Sequence, residues 1–234
     1  MVIQLEIYSD VICPWCYIGK RRLEAALKLA EGQHTVRVTW HPFQLNPDMP
    51  GAGMDRRTYR SAKFGSWERS QELDAGVAKA GAEVGISFNY AAVLRTPNTF
   101  DSHRLVWLAD QYEMQDQVVE FLFAAYFVQG FDLSQQSVLA ETVIRAGLPR
   151  TEVEELLAGD RGAAEVRQLE QTARETGVLS VPFYLLNRRY HFSGAQPPKV
   201  MLAAFAEAAN ETPQITDLIG EACDIDLATG KRSC

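Results

Sequence analysis

Apolar and polar residues alternate over residues 2–8, where Ile3, Leu5 and Ile7 share one side, so the chain opens with a strand. The period then changes. Ile18, Leu23, Ala26, Leu27 and Ala30 recur at helical spacing and predict a helix over residues 14–31. Alternation returns at 35–41, with Val36, Val38 and Trp40 set against Thr35, Arg37, Thr39 and His41. A strand, a short helix and a strand within little more than forty residues imply a parallel pair joined by a crossover helix.

Residues 46–54 hold two prolines and two glycines and read as a loop. Beyond it the pattern is helical to about residue 177. Helices are predicted at 69–84, 100–115, 116–129, 135–146 and 161–176, with a short one between the last two that opens on a Thr151–Glu154 capping box. Most of them end at a glycine, the usual left-handed stop. The 116–129 segment is apolar nearly all round and predicts a buried helix. Late in the chain, residues 181–186 and 190–192 read as a hairpin around Asn187-Arg188, followed by a helix over 198–209. The order is thus βαβ, a helical block, then α-β-β-α. One sheet results if the block is an insertion. The expected division is 1–47 and 161–211 for the sheet-bearing domain, 48–160 for the inserted all-helical domain, and 212–234 for a tail.

Composition narrows the function. The chain has 234 residues, is 47% hydrophobic and carries a formal net charge of −7. An acidic chain with scattered Arg pairs lacks the basic stripe that nucleic acid requires. No run approaches the roughly 18 apolar residues of a membrane span. The opening MVIQLEIYSD has neither the basic nor the apolar region of a secretory leader, so a cytoplasmic protein is expected. There, cysteines are more often catalytic or metal-binding than structural.

Cys13-Pro14-Trp15-Cys16 lies where the first strand gives way to the first helix. A helix N-terminus offers unpaired backbone N–H groups and a positive dipole end. Both favour thiolate, the attacking species in disulfide exchange. Pro14 suits the first helical turn, where its missing N–H costs nothing. The same spacing is half of a zinc knuckle. The other thiols, Cys223 and Cys234, have ten residues between them, whereas a Cys₄ site usually has a second short-spaced pair, so no metal site is assigned.

Several segments together resemble the DsbA family of thioredoxin-fold oxidoreductases, in particular its cytoplasmic FrnE-like branch. They are residues 9–19 around the motif, His41-Pro42-Phe43-Gln44-Leu45-Asn46-Pro47, Asn98-Thr99-Phe100-Asp101-Ser102-His103-Arg104, residues 177–183 and Ser193-Gly194-Ala195-Gln196-Pro197. The resemblance implies an α/β thioredoxin fold with a large inserted helical domain, and thiol–disulfide exchange through Cys13 and Cys16 without metal or organic cofactor. Cys13 lies at the helix start, where its sulfur can be exposed, and is assigned as the attacking thiol; Cys16, one turn in, resolves. Pro14-Trp15 tunes the potential and lacks the histidine of strongly oxidising DsbA, which predicts a less oxidising pair. The resemblance also implies a cis Val181–Pro182 bond opposite the disulfide, with the Val181 backbone pairing to an extended substrate. An ordinary trans proline opening a strand is the alternative.

Expected partners are cysteine-containing or unfolded proteins, with glutathione or thioredoxin as the redox partner, and a monomeric state is expected. A rival reading comes from kappa-class glutathione transferases and 2-hydroxychromene-2-carboxylate isomerases, which share the insertion but typically carry Ser in place of Cys13. A non-catalytic holdase is a third, and it would survive loss of Cys13.

Other residues divide similarly. Asn98 and His103 fall near the groove in the family, or serve as a helix cap and a core histidine. His41 is expected to be structural. Trp67, Trp107, Phe121, Phe123, Tyr126 and Phe127 are expected mostly in the core. Cys223 and Cys234 are inert tail thiols, an auxiliary redox pair relaying to Cys13–Cys16, or part of a metal site.

Overall fold

The computed structural model describes residues 2–210 and the short strands 224–225 and 232–233. β1 (Val2–Ser9) leads through a tight loop into α1 (Pro14–Ala30) and then β2 (Thr35–Pro42). β1 and β2 pair in parallel from Val2–Thr35 to Ser9–Pro42, as the short crossover requires. Ile3, Leu5 and Ile7 have no exposed surface, as the alternation predicts. Burying each contributes about 1.5–3 kcal/mol.

After β2 the chain leaves the sheet. It forms β3 (Met54–Asp55), α2 (Arg56–Phe64), α3 (Trp67–Ala82), β4 (Arg95–Thr96), α4 (Phe100–Asp110), α5 (Gln115–Phe127), α6 (Gln136–Arg145) and α7 (Arg150–Ala158). The insertion is helical apart from the two-residue β3–β4 ribbon, which the pattern did not foretell. It did not single out α2 either. That helix is mostly polar, and its guanidinium groups are the packing surface: Arg56 lies over Trp67 and Tyr90, and Arg60 over Phe64. Arg56 and Arg60 both pair with Asp74 of α3.

Two boundaries move. The helix predicted over 100–115 stops at Asp110, and Glu113 takes a left-handed conformation before α5 begins. The Thr151–Glu154 capping box does not form. Pro149, with φ fixed near the helical value, occupies the cap position, so Thr151 is already inside α7.

The chain returns through α8 (Ala163–Glu175) to β5 (Phe183–Leu186), β6 (Tyr190–Ser193) and α9 (Pro198–Ala209). Strands run β2-β1-β5-β6, with β5 antiparallel to β1. Asn187 and Arg188 both have positive φ, the geometry of a two-residue hairpin turn. Asn187 also ties the hairpin to β1. Its N–H donates to the Gln4 carbonyl, and its side-chain oxygen accepts from the Gln4 N–H. At the other sheet edge the Gln115 side chain satisfies both the N–H and the carbonyl of Trp40. α1 and α9 pack on each other, and α9 rests on β1. β7 (Asp224–Ile225) and β8 (Arg232–Ser233) pair antiparallel. Phe123, Tyr126 and Phe127 join the core, whereas Phe121 is partly exposed.

Candidate active site

The motif sits at the C-terminal end of β1. Cys13 is the N-cap of α1 in an extended conformation, and Pro14 occupies the first helical turn. The Cys13 N–H donates to the Asp10 carbonyl at 2.9 Å, and the Cys13 carbonyl accepts from Cys16 N–H at 3.1 Å. These bonds fix the two cysteines one turn apart, both present as thiols.

The distant segment predicted from the resemblance arrives at the same place. Val181–Pro182 is cis, and the Cys13 thiol donates to the Val181 carbonyl at 3.6 Å. Pro182 is held in turn by Gly194, whose N–H donates to its carbonyl. Gly19, one turn beyond Cys16, lets the two segments approach. A Cβ there would collide with the Tyr184 hydroxyl and lie 3.1 Å from Pro182 Cγ. Gly19→Ala is expected to destabilise the fold by about 1–3 kcal/mol in urea unfolding, because overpacking must push β5 away from α1.

One expectation is corrected. Cys13 is not exposed: its relative accessibility is 0%, and that of Cys16 is 1%. The Val181 segment lies against the sulfur, and the helical insertion packs beside the motif. Burial pushes the Cys13 thiol well above the usual range, and the neighbouring Cys16 and Asp10 add to the rise. The Cys16 N–H acts in the opposite direction, as a helix N-terminus should, but does not outweigh burial. The Val181 backbone is likewise not an open edge, since its carbonyl accepts from Cys13. In this arrangement Cys13 offers no accessible surface to a second molecule.

Pro14 and Ile12 line a small cavity with Leu45, Asn46, Tyr59 and Tyr126. Leu45, Asn46, Tyr59 and Lys63 also border an open cleft of about 480 Å³ with Met49 and Met54 on its wall. Trp15 is partly buried against the core.

Asn98 and His103 are structural in part. The Asn98 side-chain oxygen accepts from Phe100 N–H as α4 begins, and its amide donates to the Met49 carbonyl. His103 is buried, but it faces Asp10, with Nε2 3.5 Å from Oδ1. Asp10 had no role assigned from sequence. The available signal was a carboxylate between Ser9 and the apolar pair Val11-Ile12, directly before the motif. His41 pairs with Glu6 and stacks on Tyr8, a structural arrangement. Cys223 and Cys234 lie outside the described residues. Among the described residues no group of three or more His, Cys, Asp or Glu is placed to hold a metal ion, and no helix is long and apolar enough to cross a membrane.

The profile of the DSBA-like thioredoxin domain matches residues 4–206. A probable DsbA oxidoreductase from Streptomyces coelicolor superposes with a TM-score of 0.81 at 32% identity, covering 96% of this chain and 97% of that one. A 2-hydroxychromene-2-carboxylate isomerase gives 0.64 at 18% identity, covering 90% of this chain and 97% of its own. DsbM from Pseudomonas aeruginosa, a cytosolic disulfide reductase solved with GSH, gives 0.55 at 17% identity, covering 89% of this chain and all of that one (100%). At such identities the last two share the fold.

Proposed function

Because this chain belongs to the DSBA-like thioredoxin-domain family, we propose that it exchanges disulfides with cysteine-containing proteins through Cys13 and Cys16. The observation that carries this reading is the meeting of Cys13 with Val181 and the cis Pro182, residues far apart in sequence, at the N-terminus of α1. A dithiol at a helix start, facing an extended backbone segment, is the equipment of thiol–disulfide exchange.

The reductive half-reaction runs as follows. Cys13 loses its proton and attacks one sulfur of a substrate disulfide. A mixed disulfide forms and the other substrate sulfur leaves as a thiolate, which takes up a proton. Cys16 then loses its proton and attacks Cys13 Sγ, displacing the second substrate thiolate, which takes up a proton. The substrate gains two electrons and Cys13–Cys16 is left oxidised. Return to the dithiol uses an external thiol, glutathione or a thioredoxin-like dithiol; run backwards, the same steps oxidise a substrate. With Pro14-Trp15 between the cysteines, no histidine cation adjoins the thiolate, and burial disfavours it, so a reducing or isomerising role in a cytoplasmic, monomeric protein is preferred over net oxidation. No metal or organic cofactor takes part. The open cleft with Met49 and Met54 on its wall shares Leu45, Asn46 and Tyr59 with the small cavity that Pro14 lines, and it suits varied apolar side chains of an unfolded substrate.

The test sets two assays side by side. Reduction of insulin by dithiothreitol should be accelerated by the protein. Glutathione-dependent isomerisation of 2-hydroxychromene-2-carboxylate should not be. Isomerisation without insulin reduction would overturn the proposal in favour of the isomerase branch.

A further inference from the structure

The small cavity that Pro14 lines is rich in hydrogen-bond donors. Arg56, Arg60 and Lys63 of α2 border it, and none of its lining residues is acidic. Arg56 is buried and Arg60 is nearly so. One carboxylate, Asp74 of α3, serves both guanidinium groups, accepting from Arg56 at 2.7 Å and from Arg60 at 2.6 Å. Two buried cations on one buried carboxylate leave positive charge uncompensated away from water. Burial lowers the Arg60 pKa, Asp74 works against the fall, and Arg56 adds to it.

Two further donors at the cavity lack a partner. The buried Tyr90 hydroxyl has none among the described residues. Burial holds its pKa well above the usual range, so it keeps its proton to donate. The second donor is the amide of Asn46. Lys63 Nζ donates to the Tyr59 hydroxyl at 2.9 Å, so that hydroxyl spends its own proton on Asn46 Oδ1, at 2.5 Å. This sets the orientation of the amide, and its Nδ2 is buried and also without a partner among the described residues. The free space is about 30 Å³, room for about two water molecules or one small anion. Water would satisfy the donors but would leave the charge unanswered.

We propose that this cavity binds one small monovalent inorganic anion, such as chloride, held by Arg56, Arg60, Tyr90 and Asn46. The anion balances the second guanidinium and gives the two orphaned donors an acceptor. It ties α2 of the insertion to the segment that follows β2, and so strengthens the packing beside the motif. The adjoining cleft, which shares Leu45, Asn46, Tyr59 and Lys63 with the cavity, is the route of entry. β8 lies beside α2, so the chain's own tail is the rival source of negative charge.

The test follows urea unfolding of the full-length protein while sodium chloride replaces sodium gluconate at constant ionic strength. Chloride should raise the midpoint and the effect should saturate, whereas gluconate is too large for the cavity. Tyr90→Phe removes one donor to the anion, so the chloride concentration giving half the effect should rise by about tenfold. Asn46→Asp supplies a carboxylate from the chain itself, so the chloride response should vanish. General salt effects would appear alike in the parent and both variants, and that result overturns the proposal. A midpoint indifferent to chloride, as expected if water or the tail fills the cavity, also overturns it. Crystals grown in sodium bromide should show anomalous density between Arg56, Arg60 and Tyr90. Its absence overturns the proposal, and density without a chloride response means an adventitious ion only and overturns it too. If Asn46→Asp does not fold, Tyr90→Phe decides, because it removes only a hydroxyl that bonds to nothing in the protein. Neither readout involves Cys13 or Cys16, so failure of the disulfide-exchange reading leaves this test intact.

Discussion

Cys13→Ser is expected to lower insulin reduction by at least about a thousandfold while leaving urea stability within about 1 kcal/mol of the parent. A serine hydroxyl is too weak a nucleophile to attack a disulfide at neutral pH. Its smaller oxygen still reaches toward the Val181 carbonyl that the thiol now engages. The companion Cys16→Ser should behave differently. Attack by Cys13 remains possible, but nothing resolves the product, so mixed disulfides between Cys13 and substrate should accumulate and be visible on non-reducing gels. Residual insulin reduction by Cys13→Ser would overturn the assignment of the attacking thiol. Full suppression of insulin aggregation by Cys13→Ser without reduction would instead support a holdase.

Arg104→Ala is expected to cost about 3–5 kcal/mol in urea unfolding. Arg104 is 4% exposed and sits in α4. Its guanidinium donates to the carbonyls of Leu156, Gly159 and Arg161, and to Asp101. Those carbonyls belong to the end of α7 and the turn into α8, where the chain leaves the insertion and heads back to the sheet. Truncation takes this donor from all three carbonyls and leaves Leu156 only the Gly159 N–H at 3.3 Å. Lysine offers one point charge in place of a planar fork, so Arg104→Lys should recover less than half of the loss. Equal stability of the parent and Arg104→Ala would show that solvent reaches the carbonyls.

How much of this was legible in the sequence depended on the range of the signal. The first strand, the motif helix and the parallel second strand follow from residues close in sequence, and Asn187-Arg188 declares its hairpin directly. The helical block is legible as helices, but α2 is not, because arginine on aromatic faces stands in for apolar packing. The missed ribbon has two residues per strand, too few to show a period. Recognition of the Val181–Pro182 partner came through resemblance, since no local pattern links it to Cys13. Burial of Cys13 was misjudged for the same reason: a helix N-cap looks open until the segment that covers it is placed. Asp10 and His103 were each visible, the first as part of a matching segment and the second as a core histidine, but only the packing of α4 on the motif loop brings them together.

The closure of the site by Val181 has a consequence for biosynthesis. Cys13 emerges early and the carbonyl that meets its sulfur is made 168 residues later. At about 5–20 residues per second, the ribosome takes roughly 8–34 s to cover that distance. Until then the two cysteines of the motif have only a nascent strand and helix around them, open to any oxidant or metal ion nearby. The protection that burial gives the finished protein is thus unavailable for most of its synthesis, and the growing chain depends on the reducing power of its surroundings to keep the pair as thiols.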